Sequence, residues 1–82
     1  MTKTTHDPSQ NDVARAETEA LALQDAEEQS AQRFVDVRQR LVASNQPDEV
    51  TRCDEFREWM AARAKTDEAW GRWAMAMDAV QG

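Results

Sequence analysis

The residue types that most often carry catalysis or bind metals are scarce in this chain and far apart. The only histidine is His6, near the amino terminus, and the only cysteine is Cys53. A nucleophilic Cys–His pair and a zinc site both need several such side chains brought together. We therefore predict no catalytic residue, no metal site and no cofactor.

Adjacent carboxylates offer a second route to chemistry, through general acid and base catalysis. Glu27–Glu28 and Asp54–Glu55 are two such adjacent pairs. Neighbours in sequence point in different directions on a helix, so neither pair forms a catalytic dyad. The chain has only two glycines and lacks a glycine-rich phosphate loop. We predict that the protein is not an enzyme.

The charge of the chain narrows the classes of partner. Its 82 residues suffice for one domain, and the formal net charge is −6. Nucleic-acid affinity comes mostly from Lys and Arg side chains against phosphate, so nucleic acid is not the expected ligand. Negative charge suits a basic protein partner, and solubility alone is the alternative explanation.

Hydropathy and cysteine content suggest where the protein resides. No apolar run approaches the roughly 20 residues that span a membrane, and residues 1–11 lack the apolar segment of a secretory signal. A single cysteine cannot form a disulfide within the chain. We predict a cytoplasmic protein with no membrane contact of its own.

The few prolines and glycines mark the expected boundaries of helices. Between Pro8 and Pro47 no residue forces the backbone out of a helix, and no strand pattern is present. We predict an all-α protein, a small antiparallel bundle of three to four helices. Residues 1–8 are expected to form a disordered tail and residues 9–82 the single partner-binding domain, with helices over 10–25, 28–43, 47–64 and 66–80.

The first of these helices has a narrow stripe of mostly small apolar side chains at spacings of three and four. Glu27 and Ser30 interrupt the same spacing, which suggests a hinge over residues 25–30. Alanine buries little area, so this helix is expected to dock less firmly than the others or to be held by a second molecule. The candidate partner-binding residues are the stripe and two indoles: Val13, Ala16, Ala20, Leu23, Trp59 and Trp73.

The larger apolar side chains of the other helices are expected to form the core. Three tryptophans are many for so short a chain, and tryptophan is enriched at binding hot spots. We expect removal of the Trp70 side chain to cost roughly 3–5 kcal/mol. The predicted core comprises Phe34, Val37, Leu41, Cys53, Phe56, Trp59, Met60, Trp70, Trp73 and Met77.

Two motifs in the second half resemble a known family. Residues 56–62 (FREWMAA) and 69–72 (AWGR) resemble the N-terminal domain of FecR-type anti-sigma regulators, which shows Phe-x-x-Trp-Leu-Ala, a short turn and a second Trp preceded by Ala. Trp59 and Trp70 are eleven residues apart, the usual spacing. The segment around Phe34 looks like the first helix of that family, although Phe34 stands where Trp is usual. A turn between the two tryptophans is expected to pack their helices as an antiparallel pair.

The resemblance implies a function. Domains of that family lie in the cytoplasm and bind an extracytoplasmic-function sigma factor in cell-surface signalling, usually linked to iron uptake. A transmembrane segment normally follows them in an inner-membrane protein. Sigma factors carry basic DNA-binding surfaces, which suit the charge of −6.

Two other interpretations remain open at this point. The first is a stand-alone acidic helical adaptor or inhibitor, of the kind that phages and plasmids encode. The second is a self-associating module, a homodimer formed through the stripe that runs from Val13 to Leu41.

Overall fold

The computed structural model describes residues 8–81, and residues 1–7 and 82 lie outside it, with most of the predicted tail. Helix α1 spans Pro8–Ala43, a short 3₁₀ turn spans Pro47–Glu49, and helix α2 spans Asp54–Gln81. The two helices lie antiparallel as a hairpin about 69 Å long and 19 by 14 Å across. The all-α prediction is confirmed, but the prediction of three to four helices is wrong.

Helix α1 runs without a break through the predicted hinge at residues 25–30. The physical reason is that Glu27 and Ser30 continue the spacing of three and four and still face α2. Ser30 is buried, and its hydroxyl accepts a hydrogen bond from the Arg33 guanidinium at 3.1 Å. Small side chains on α2, such as Ala62, leave room for these polar groups. The predicted helices 10–25 and 28–43 are therefore one helix, and no separate N-terminal helix exists.

Helix α2 also passes through a predicted boundary, at residues 64–66. A new helix is predicted to begin at residue 66, with Thr66 or Asp67 as its cap, but the Thr66 hydroxyl donates to the Ala62 carbonyl one turn back, at 3.1 Å. A threonine bonded in this way is satisfied inside a helix. At its other end α2 begins at Asp54 rather than at Pro47. Asp54 and Glu55 occupy its first turn, where the helix dipole favours negative charge.

The end of α1 is set by a residue in the left-handed conformation. Asn45 has φ of 61°. The Gln46 N–H donates to the Leu41 carbonyl at 2.8 Å, and the Asn45 N–H donates to the Val42 carbonyl at 3.0 Å. These two bonds form a Schellman motif, which satisfies the last carbonyls of a helix. The chain reverses here as predicted, but the connection extends over residues 44–53, beyond the short break expected before Pro47.

Three interhelical contacts fix the register of the hairpin. The Trp70 indole N–H donates to the Gln24 side chain at 3.2 Å. Arg72 pairs with Glu19 at 2.9 Å. The Phe34 ring stacks on that of Trp59, with centroids 5.1 Å apart. In each pair the two residue numbers add up to nearly the same value, as they must in an antiparallel pair without a bulge.

The middle of the interface is built from small side chains. Ala20 and Ala69 have no exposed surface at all, and Ser30 and Thr66 are also buried. Small residues let two helix backbones approach closely. Phe34, 6% exposed, is the only large side chain in the buried set, and no large side chain among the described residues is completely enclosed.

We call the line of contact between α1 and α2 the seam. The small side chains there predict that enlarging an alanine in the seam destabilises the hairpin. Ala20→Leu should lower the free energy of unfolding by about 1–3 kcal/mol, because the extra volume forces the helices apart. Urea unfolding followed by circular dichroism measures the change. Ala22→Leu, at an exposed position of the same helix, is the matched control and should be nearly neutral, since Leu and Ala have similar helix propensity. Equal effects of the two variants would contradict the close approach at Ala20.

The left-handed residue at the loop makes a second prediction. Asn45→Ala should cost about 1 kcal/mol, because residues other than Gly and Asn are strained at this φ. Asn45→Gly should cost nothing or stabilise. Gln46→Gly is the control variant. Gln46 has φ of −126°, so glycine relieves no backbone strain at this position. Chemical denaturation of the three variants gives the comparison, and a stable Asn45→Ala protein would rule out the role assigned to Asn45.

Candidate functional site

The residue types that hold metals lie apart from one another in the described part of the chain. They contain no group of three or more His, Cys, Asp and Glu side chains placed to hold a metal ion. The Cys53 thiol is half-buried and donates to the Val50 carbonyl at 3.2 Å, which ties the thiol to the turn before α2. Neither α1 nor α2 combines the length and apolar content that a membrane crossing requires.

An aromatic cluster lies at the loop end of the hairpin. The Phe34 and Phe56 centroids are 5.4 Å apart, and those of Phe56 and Trp59 are 6.4 Å apart with the rings nearly perpendicular. The Arg63 guanidinium lies over the Trp59 ring, 5.7 Å from its centroid. Offset and edge-on contacts of this kind add to the free energy of simple burial. The cluster anchors the loop end, where α1 contributes its one buried aromatic side chain.

A second aromatic pair lies toward the open end. Trp70 and Trp73 meet edge to face, with centroids 5.4 Å apart. Both are half-buried, and the indole N–H of Trp70 is already bonded to Gln24. The exposed part of the Trp70 ring is therefore apolar surface, available to a partner without breaking a hydrogen bond.

The expected turn between Trp59 and Trp70 is absent, because both indoles project from the single helix α2. Eleven residues are about three turns, so the two side chains lie along one helix rather than between two. Each meets a different part of α1: Trp59 stacks on Phe34, and Trp70 bonds to Gln24.

One long side of the hairpin is largely apolar. Trp70 and Gln24 face each other on it, and helical periodicity places further apolar side chains one to three turns away on both helices. Leu21 is 49% exposed, and the others are half-buried. We call this surface the apolar side and define it by Leu21, Val35, Met60, Trp70 and Met77.

The opposite side is charged. Arg72 pairs there with Glu19 and with Glu68, and the hydrogen bond and charge of Glu19 raise the pKa of Arg72. A groove of about 380 Å³ lies beside the seam, and its lining combines charged Arg33, Glu58 and Lys65 with apolar Leu23, Ala26, Ala61 and Ala62. Met75, 75% exposed, lies two helical turns after Glu68 and therefore on the same face of α2.

The structure distributes the predicted residues unevenly. Of the partner-binding candidates, Ala20 is completely buried against α2 and touches no partner while the hairpin is intact. The remaining candidates, Val13, Ala16, Leu23, Trp59 and Trp73, are half-buried along the seam. Of the predicted core, Phe34 is buried and the rest are half-buried: Val37, Leu41, Cys53, Phe56, Trp59, Met60, Trp70, Trp73 and Met77.

Sequence reasoning missed Leu21 and Val35 as surface residues. Both lie beside the α1 stripe rather than in it, one position after Ala20 and Phe34. Their recurrence at a separation of fourteen residues, four helical turns, is the signal that would have placed them on one face.

Comparison with protein-family models, curated proteins and solved structures finds no match to this chain.

The difference in burial predicts unequal costs for two aromatic truncations. Phe34→Ala should lower the free energy of unfolding by about 3–5 kcal/mol, which could unfold a hairpin of this size. Trp70→Ala should cost only about 1–2 kcal/mol, less than the sequence suggested, because the indole is half-buried. Thermal melts of the two variants test the order. A Trp70→Ala protein less stable than Phe34→Ala would contradict it.

Proposed function

We propose that this chain is a protein-binding helical hairpin, which receives a helix of a partner protein on its apolar side. The observation that carries the proposal is that α1 and α2 pack together and still leave part of Leu21, Trp70 and Met60 exposed to solvent. An amphipathic helix laid into such a surface buries alternate turns of its own apolar face.

The residues of the apolar side suit this role. Trp70 offers a large ring held in place by Trp73 and Gln24, so little side-chain entropy is lost when a partner covers it. Met60 and Met77 are flexible and polarisable, and they adapt to the shape of an incoming side chain. A rigid aromatic anchor flanked by adaptable methionines is a common arrangement at binding hot spots.

The partner we propose is an extracytoplasmic-function sigma factor, which the chain would hold in the cytoplasm as part of iron-linked cell-surface signalling. The resemblance of the motifs around Trp59 and Trp70 to FecR-type regulators supports this choice. The net charge of −6 supports it as well, because basic surfaces of a sigma factor would be steered toward the hairpin. The stand-alone adaptor uses the same apolar side and differs only in the partner bound.

The test is a titration of the hairpin with an extracytoplasmic-function sigma factor encoded beside it, by isothermal calorimetry. Trp70→Ala and Met60→Ala should each weaken binding at least tenfold, the usual effect of removing a hot-spot side chain. Met75→Ala is the matched control, since Met75 is an exposed apolar residue on the opposite side, and it should bind like the parent.

Circular dichroism of each variant establishes that the hairpin is still folded. If the folded parent fails to bind the sigma factor, the sigma-regulator proposal is wrong and the adaptor interpretation stands. If Met75→Ala loses affinity while Trp70→Ala does not, the binding surface is the charged side instead.

A further inference from the structure

Two charged residues interrupt the apolar side near its middle. Arg63 and Asp67 lie on α2 between Met60 and Trp70, one helical turn apart. Neither takes part in an ion pair within the described chain, where the pairs are Arg52–Glu49, Arg57–Asp54, Arg72–Glu19 and Arg72–Glu68. Arg63 instead directs its guanidinium over Trp59. A cation and an anion are therefore left side by side between Met60 and Trp70 of the apolar side.

This arrangement is complementary to itself under a twofold rotation. When α2 of a second copy lies antiparallel on α2, an axis midway between positions 63 and 67 brings Arg63 opposite the second copy's Asp67. The exchange is reciprocal, as in every isologous interface. The same axis lies midway between positions 60 and 70, so Met60 meets the second copy's Trp70.

The apolar residues of α1 are related by the same twofold axis. Leu21 and Val35 are centred on position 28, and the stacking of Phe34 on Trp59 places position 28 across from position 65 of α2. One rotation therefore brings Leu21 of each copy to Val35 of the other. Three pairs, two apolar and one ionic, agree on one axis although they come from two helices.

We propose that two copies of this chain associate through their apolar sides as an antiparallel four-helix bundle, with the loops at opposite ends. With the axis at position 65, residues 54–76 of α2 pair with the same residues of the second copy. Over that length and across the 19 Å width of the hairpin, each copy would cover roughly 650 Å², within the range of standard protein interfaces. The dimer covers the surface proposed for the partner helix, so partner binding and self-association compete.

Glu28 is the one unfavourable residue in this arrangement. It lies on the axis, where the Glu28 side chains of the two copies approach each other. Like charges placed opposite one another weaken an interface. The dimer is therefore weaker than its apolar area alone would give, which leaves it able to yield to a partner.

The experiment is sedimentation equilibrium of the full chain without any other protein. The parent is compared with Arg63→Asp, with Asp67→Arg, with an equimolar mixture of the two, and with the double variant that carries both changes. Each single reversal places like charges opposite each other twice per dimer. The mixture and the double variant restore opposite charges at both places.

We expect each single variant to dimerise at least tenfold more weakly than the parent, and the mixture and the double variant to recover most of that loss. Glu28→Gln should dimerise more tightly. A parent that stays monomeric, single variants that dimerise like the parent, or a mixture that stays dissociated would each overturn the proposal. Circular dichroism establishes that the single variants remain helical. Because no partner is present, failure here leaves the proposed sigma-factor binding untouched, and the converse also holds.

Discussion

The burial of Ala20 and Ala69 between the two helices is the constraint on which the rest of the hairpin depends. Among the described residues only these two small side chains have no exposed surface. Larger side chains along the same seam, such as Trp59 and Trp73, stay half-buried. Phe34 and its neighbours fill the loop end, and Trp70 is pushed to the edge, where part of its ring stays in contact with solvent.

This limited burial explains why the hairpin has an apolar side. A two-helix hairpin has only one seam, which cannot enclose every large apolar side chain. Leu21, Trp70 and Met77 therefore keep part of their surface in contact with solvent. The ion pairs of Arg72 with Glu19 and Glu68 lie on the other side.

Helix content, the loop and the antiparallel arrangement could be predicted from the sequence, because proline spacing and helical periodicity are local signals. The number of helices could not. Glu27 and Ser30 looked like a break because they are polar, and only the small residues facing them on α2 explain why they are accommodated in the seam. Thr66 looked like a cap because a threonine hydroxyl can bond either forward or one turn back, and tertiary packing decides between the two. The apolar side required the register, which depends on contacts such as Gln24–Trp70 that link distant parts of the chain.

The position of the single loop also determines the order in which the interhelical contacts form during folding. Contacts near Asn45 join residues close in sequence, whereas Arg72 and Glu19 at the open end are 53 residues apart. Loop-closure entropy grows with this separation, so the pairing of the helices costs least beside the loop. Folding should therefore start at the aromatic cluster of Phe34, Phe56 and Trp59, and the pairing of the helices should then extend toward the open end. The open end, where Leu21 and Met77 lie, then forms last and opens first, so part of the apolar side belongs to the least persistent part of the hairpin.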